Sequence, residues 1–74
     1  MFDYAPIAQG FVSAREKLGW SHYRLAKEAG LPFATVVRLE KENAKPALNT
    51  IARAAEALGY RLRLHSIDKG ELLK

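Results

Sequence analysis

Arg38, Lys41 and Lys45 bring three cations into one short stretch, and His22 stands upstream with an imidazole N–H to offer. A guanidinium forks two parallel hydrogen bonds onto a planar pair of acceptors such as guanine O6 and N7, whereas an ammonium or a ring N–H meets a phosphate as a simpler donor. Close by are Phe33, Ala34 and Val37, apolar groups of the kind that touch a thymine methyl, and Thr35, whose hydroxyl either donates to a phosphate or caps its own helix. For His22, Lys41 and Lys45 the plain alternative is a solvated surface group with no task. Residues for catalysis are wanting. The two histidines lie far apart, there is no cysteine, and no metal-spaced cluster or glycine-rich phosphate loop is present. No carboxylate pair falls in an evident cleft either, so we expect no enzyme, no metal and no cofactor.

Composition agrees with a binding role. Seventy-four residues make one small domain, residues 1–74, with a modest core. The chain is 49% hydrophobic, which excludes a disordered segment. Twelve Lys and Arg against eight Asp and Glu leave a net charge of +4, weak evidence by itself for a polyanionic partner. Without cysteine no disulfide forms, and a reducing compartment is compatible. No apolar run approaches a membrane span, and Asp3 with no basic segment ahead of an apolar one speaks against a signal peptide. Cytoplasm is the default.

The candidate residues need a frame, and His22 to Glu40 supplies one. Leu25, Ala26 and Ala29 share one face of a helix over about 22–29, and Ser21 stands where an N-cap hydroxyl would take an orphan backbone N–H. Gly30 follows the last periodic residue, as a helix C′ position prefers. Pro32 tolerates a first helical turn, and Val36 and Leu39 give a second helix, about 32–41, its inner face. A small residue at the crossing (Ala26), a glycine at the bend and two branched apolar residues plugging the angle make the tight corner of a DNA-binding helix-turn-helix. The alternative is a plain helical hairpin inside another bundle. With Val36 and Leu39 inward, Phe33, Ala34, Val37, Arg38 and Lys41 share the exposed side, and Arg38 alone there can fork onto guanine. The Phe33–Val37 pair is open to three readings: a contact for DNA methyls, a dock for a protein partner, or core if the helix is rotated.

Around this corner the chain reads in order. Met1 to Ala5 is expected to form a loose arm, with Phe2 and Tyr4 able to pack on the body. A first helix over about 6–18 buries Ile7, Phe11, Ala14 and Leu18, spaced 4, 3 and 4, and Trp20 is expected as a core anchor beneath the corner. A polar loop closed by Pro46 leads to a fourth helix over about 48–58, with Leu48, Ile51, Ala55 and Leu58 inward and Arg53 outside. From Tyr60 to His65 the pattern alternates apolar and polar residues, the sign of a half-buried strand over about 60–66. A lone strand leaves its backbone groups unpaired. An isologous partner donating the same strand would satisfy them, with Tyr60, Leu62 and Leu64 over the helices. The other possibility is an extended tail laid on its own domain.

The run from Arg15 to Gly59 resembles the phage Cro/repressor-type helix-turn-helix family, also called XRE. The residues that carry the likeness are Arg15, Leu18-Gly19-Trp20-Ser21, Leu25-Ala26, Gly30, Thr35-Val36, Arg38-Leu39-Glu40, Pro46 and Ala57-Leu58-Gly59. The resemblance implies an all-α, four-helix, lambda-repressor-like domain that binds double-stranded operator DNA, usually as a dimer, and regulates transcription. It also implies a contact between Arg15 and Glu40 that locks helix 1 to helix 3, in place of a phosphate-binding role for Arg15, and it sets His22 where the family usually has a phosphate-contacting Gln. Phe33 and Ala34 replace the polar pair that opens the family's recognition helix, Glu42 replaces a usual glycine, and Ala47 replaces a usual Ser cap. A four-helix domain followed by one alternating strand is also similar to the antitoxin of Hip-type toxin–antitoxin modules. The expected function is therefore a homodimeric repressor on palindromic DNA; the alternative is an antitoxin that holds a toxin protein and autoregulates its operon.

Overall fold

The computed structural model describes residues 2–63 and builds four helices: α1 (Ala5–Lys17), α2 (His22–Ala29), α3 (Phe33–Leu39) and α4 (Leu48–Ala57). The central element is α2, which packs on both α3 and α4. Ser21 starts it as expected, its Oγ accepting the Arg24 N–H at 3.0 Å. Gly30 ends it in the left-handed region at φ 67°, ψ 38°, with the Leu31 N–H returning to the Ala26 carbonyl at 3.0 Å and the Gly30 N–H to Lys27. That pair of bonds is a Schellman cap, and it turns the chain toward α3 within three residues. The turn is held from outside as well, because Arg53 on α4 donates from Nη2 to the Gly30 carbonyl at 3.1 Å.

The core lies where the four helices meet. Leu25, Val36 and Leu39 are essentially inaccessible, and burial of each contributes about 1.5–3 kcal/mol. Ala8, Ala14, Ala26, Ala29, Ala54 and Ala55 are buried around them. Small side chains at these positions let the helix axes approach closely, so the corner is tight although the chain is short.

Several boundaries and inner positions depart from expectation. α1 runs one residue earlier than 6–18, and Leu18 falls on its C-cap at 48% exposure rather than in the core. α3 is shorter than 32–41 at both ends. Pro32 is extended (ψ 147°) and acts as the N-cap, while Glu40 and Lys41 close tighter i→i−3 bonds onto Val37 and Arg38. α4 ends at Ala57, with Leu58 as its buried C-cap; Ala47 gives it no side-chain cap, and Leu48 is exposed. Trp20 is only half-buried. Its ring packs on the core and carries the Arg24 guanidinium 4.7 Å from the ring centre, a cation–π contact.

The two ends differ from expectation in opposite senses. Tyr4, expected in a loose arm from which it could pack on the body, is a core residue and the N-cap of α1; its hydroxyl donates to the Leu39 carbonyl at 2.6 Å. Leu39 belongs to the last turn of α3, where carbonyls lack an intrahelical partner, and this explains the match. Of the strand expected over 60–66, residues 60–63 carry no strand pairing. A strand needs a neighbour, and none exists among the described residues of a single chain. Leu64 and the rest of that segment lie outside the described residues.

Burial, and next to it the Glu40 charge, pushes the Tyr4 phenol up from 10.0 to about 12. The phenol therefore favours the fold while protonated: this contribution is complete below pH 10, where the unfolded chain titrates, and is lost as pH rises through 12. Tyr4→Phe strands the Leu39 carbonyl, so urea unfolding at pH 7 is expected to show a loss of about 1–3 kcal/mol. The wild-type lead over Tyr4→Phe should shrink across that alkaline window, and a lead constant throughout it would refute the assignment.

Candidate nucleic-acid interface

The orientation of α3 settles which of its side chains face outward. Val36 and Leu39 are 0% and 1% exposed and fix the inner face. Phe33, Ala34 and Arg38 are exposed on the other side, Lys41 follows them just past the helix end, and Val37 is half-buried at the edge. Phe33 is thus a surface group at 53% exposure, which removes the reading of it as core. Thr35 is half-buried, and Lys45 is exposed in the loop before α4. Among the described residues, none of Arg38, Lys41 and Lys45 forms a salt bridge. The face thus combines an apolar start, at Phe33 and Ala34, with cations toward its end.

Behind this face lies the polar centre of the molecule. Glu40, whose side chain is 8% exposed, accepts from Arg15 Nε at 2.6 Å through one carboxylate oxygen and from Arg15 Nη2 at 3.1 Å through the other. Arg15 spends a third donor, Nη1, on the Trp20 carbonyl at 2.7 Å. The bidentate bond to Glu40 raises the Arg15 pKa further, against the opposing effect of burial, so the guanidinium stays charged. Arg15 is committed to this pair, which joins α1 to the end of α3. His22 also comes to Glu40, its Nε2 lying 2.9 Å from Oε1. The same imidazole meets the Phe33 ring edge-on, with centroids 6.4 Å apart and planes at 80°.

The bonds of His22 were not visible in the sequence. Eighteen residues separate it from Glu40, and no spacing rule links them. The bond from Gln9 Nε2 to Glu42 at 2.6 Å and the Arg53 tie to Gly30 are non-local in the same way. The Trp20–Arg24 contact is close in sequence, but Trp20 precedes the α2 N-cap, so no helix-face spacing announced it. Tyr60 and Leu62 are exposed at 55% and 41%, on one side of an open apolar groove of about 390 Å³ between α1 and α4.

A charge pair this sheltered should reveal itself on truncation. Glu40→Ala leaves the Arg15 guanidinium without its partner and is expected to cost about 3–5 kcal/mol in denaturant unfolding. Glu28→Ala, which breaks the exposed Arg24–Glu28 pair, is expected to cost under about 0.5 kcal/mol. Equal losses from the two would show that Glu40 is no better sheltered than a surface acid.

No helix among the described residues is long and apolar enough to cross a membrane. No curated protein matches the chain. The sequence profile of the helix-turn-helix family matches residues 13–64, from the second half of α1 through α4 and beyond it. That span is more than half of the chain and contains the capped α2, the turn at Gly30 and the outward face of α3; the chain belongs to the XRE-type helix-turn-helix family of DNA-binding transcription regulators.

Proposed function

We propose that the chain is a repressor that binds palindromic operator DNA as a homodimer, with α3 as the recognition helix. The observation that carries this reading is the face of α3 itself: Arg38 stands exposed and forms no salt bridge among the described residues, while Val36 and Leu39 clamp the opposite side into the core. In the major groove Arg38 is placed to fork onto guanine, a contact worth about 1–3 kcal/mol of discrimination. Phe33, Ala34 and Val37 meet thymine methyls. Thr35, Lys41 and Lys45, with His22 at the start of α2, take the phosphates. A sequence-independent phosphate term makes affinity fall steeply with salt, because each neutralised phosphate releases counterions.

Two-fold symmetry follows from the same reading. A palindrome with half-sites about one helical turn apart requires a dimer of matching symmetry. Tyr60 and Leu62, large and exposed beside an apolar groove, support a contact through the segment after α4, extended by Leu64. The antitoxin reading has one observation in its favour, the exposed apolar start of α3 at Phe33, which suits a protein partner as well as a methyl group. A toxin that copurifies at fixed stoichiometry and is lost on Phe33→Ala would carry it.

Two measurements test the repressor reading. Arg38→Ala is expected to relax preference at one base pair per half-site, by about ten-fold, in sites selected from a random DNA pool. Equal loss on every sequence would move Arg38 to the phosphates. Cutting the chain after Gly59 is expected to give a monomer in sedimentation, and a truncated dimer would exclude the terminal contact.

A further inference from the structure

The geometry points to His22 as a positioning residue for base readout: held by Glu40, its ring braces Phe33 so that the phenyl edge meets one thymine methyl in the major groove. This rests on the DNA-binding reading and adds to it a part for His22 beyond any phosphate contact. Phe33 is the first residue of α3, and at 53% exposure a side chain there has little of its own helix to lean on. The one aromatic contact found for it among the described residues is the edge-on meeting with His22, at 6.4 Å and 80°, within the range where such ring pairs attract. His22 in turn is anchored. Its Nε2 lies 2.9 Å from Glu40 Oε1, and Glu40 is fixed by the two bonds from Arg15. Phe33 has helical backbone as the first residue of α3, so its Cα–Cβ direction is set by the helix and the remaining freedom is in χ1 and χ2. A chain of contacts thus runs from the most sheltered charge pair to the exposed aromatic that opens α3. Charged groups facing the imidazole come from α1, as Arg15 through the shared carboxylate, and from the end of α3, as Glu40.

The test separates methyl reading from general affinity. Sites are first selected from random DNA with the full chain, and each thymine is then replaced singly by deoxyuridine, which removes only the methyl. For the wild type, one thymine per half-site is expected to lose about four-fold in affinity, the worth of one buried carbon. His22→Gln keeps a side-chain N–H for Glu40 and discards the ring. It is expected to fold and to lose that discrimination to under about two-fold, a loss confined to one thymine and so distinct from any uniform weakening at the phosphates. Three-bond couplings of Phe33 in the free protein should report a single χ1 rotamer for the wild type and averaging in His22→Gln. His22→Ala serves the same comparison should the first variant fail to give a helical circular dichroism spectrum. Full methyl discrimination in a folded His22 variant, or an averaged Phe33 in the wild type, would overturn the proposal and leave operator binding standing. If no sequence is enriched from the pool, the DNA reading itself fails, and the positioning role falls with it.

Discussion

The Glu40 carboxylate is the point on which the rest of the structure depends. It sits at the end of α3, accepts from Arg15 of α1, and is met by His22 of α2. Three helices are thereby tied through two oxygens. A seven-residue helix has too few internal hydrogen bonds to persist in water, so α3 exists because its neighbours hold it. Val36 and Leu39 supply the apolar part of that hold. The carboxylate adds direction, since a bidentate pair fixes both distance and plane. Burying charge is costly, and here the cost is offset by the three hydrogen bonds that Arg15 donates and the three polar contacts that Glu40 makes.

The same constraint shapes the surface. Glu40 lies in the same segment as Arg38 and Lys41, yet its charge is turned inward and neutralised by Arg15. The outward side of α3 therefore keeps its positive character although the net charge of the chain is only +4. Where charge is placed matters more here than how much there is, because a field at a polyanion's surface falls off within about 8 Å at physiological salt. The tie that stabilises the corner thus also keeps the Glu40 charge off the outward side, where Arg38 and Lys41 stand exposed.

Around the corner, polar bonds compensate for a small core. Six buried alanines allow close crossings but bury little area each. Tyr4 closes the open end of α3, Arg53 closes the bend at Gly30, and Arg24 covers the outer face of Trp20. Each satisfies or shields a group that a larger protein would cover with more chain. No buried side-chain polar atom among the described residues is left without a partner. That completeness is what lets a domain of this size hold one arrangement.

Sequence determined everything governed by local rules. The cap at Ser21, the left-handed exit at Gly30, the inner face of Val36 and Leu39 and the extent of α2 follow from side-chain chemistry acting within a turn or two. Hence the corner and its outward residues were legible, and the family with them. Leu18 and Leu48 had helical spacing yet lie exposed, because spacing gives the face of a helix but not where its partner ends. Tyr4 inside the core, His22 between Glu40 and Phe33, and Arg53 on the bend were decided only by the packed structure. Those contacts join residues 11 to 35 positions apart, and such a meeting is set by how whole helices cross, a property no local window of sequence contains.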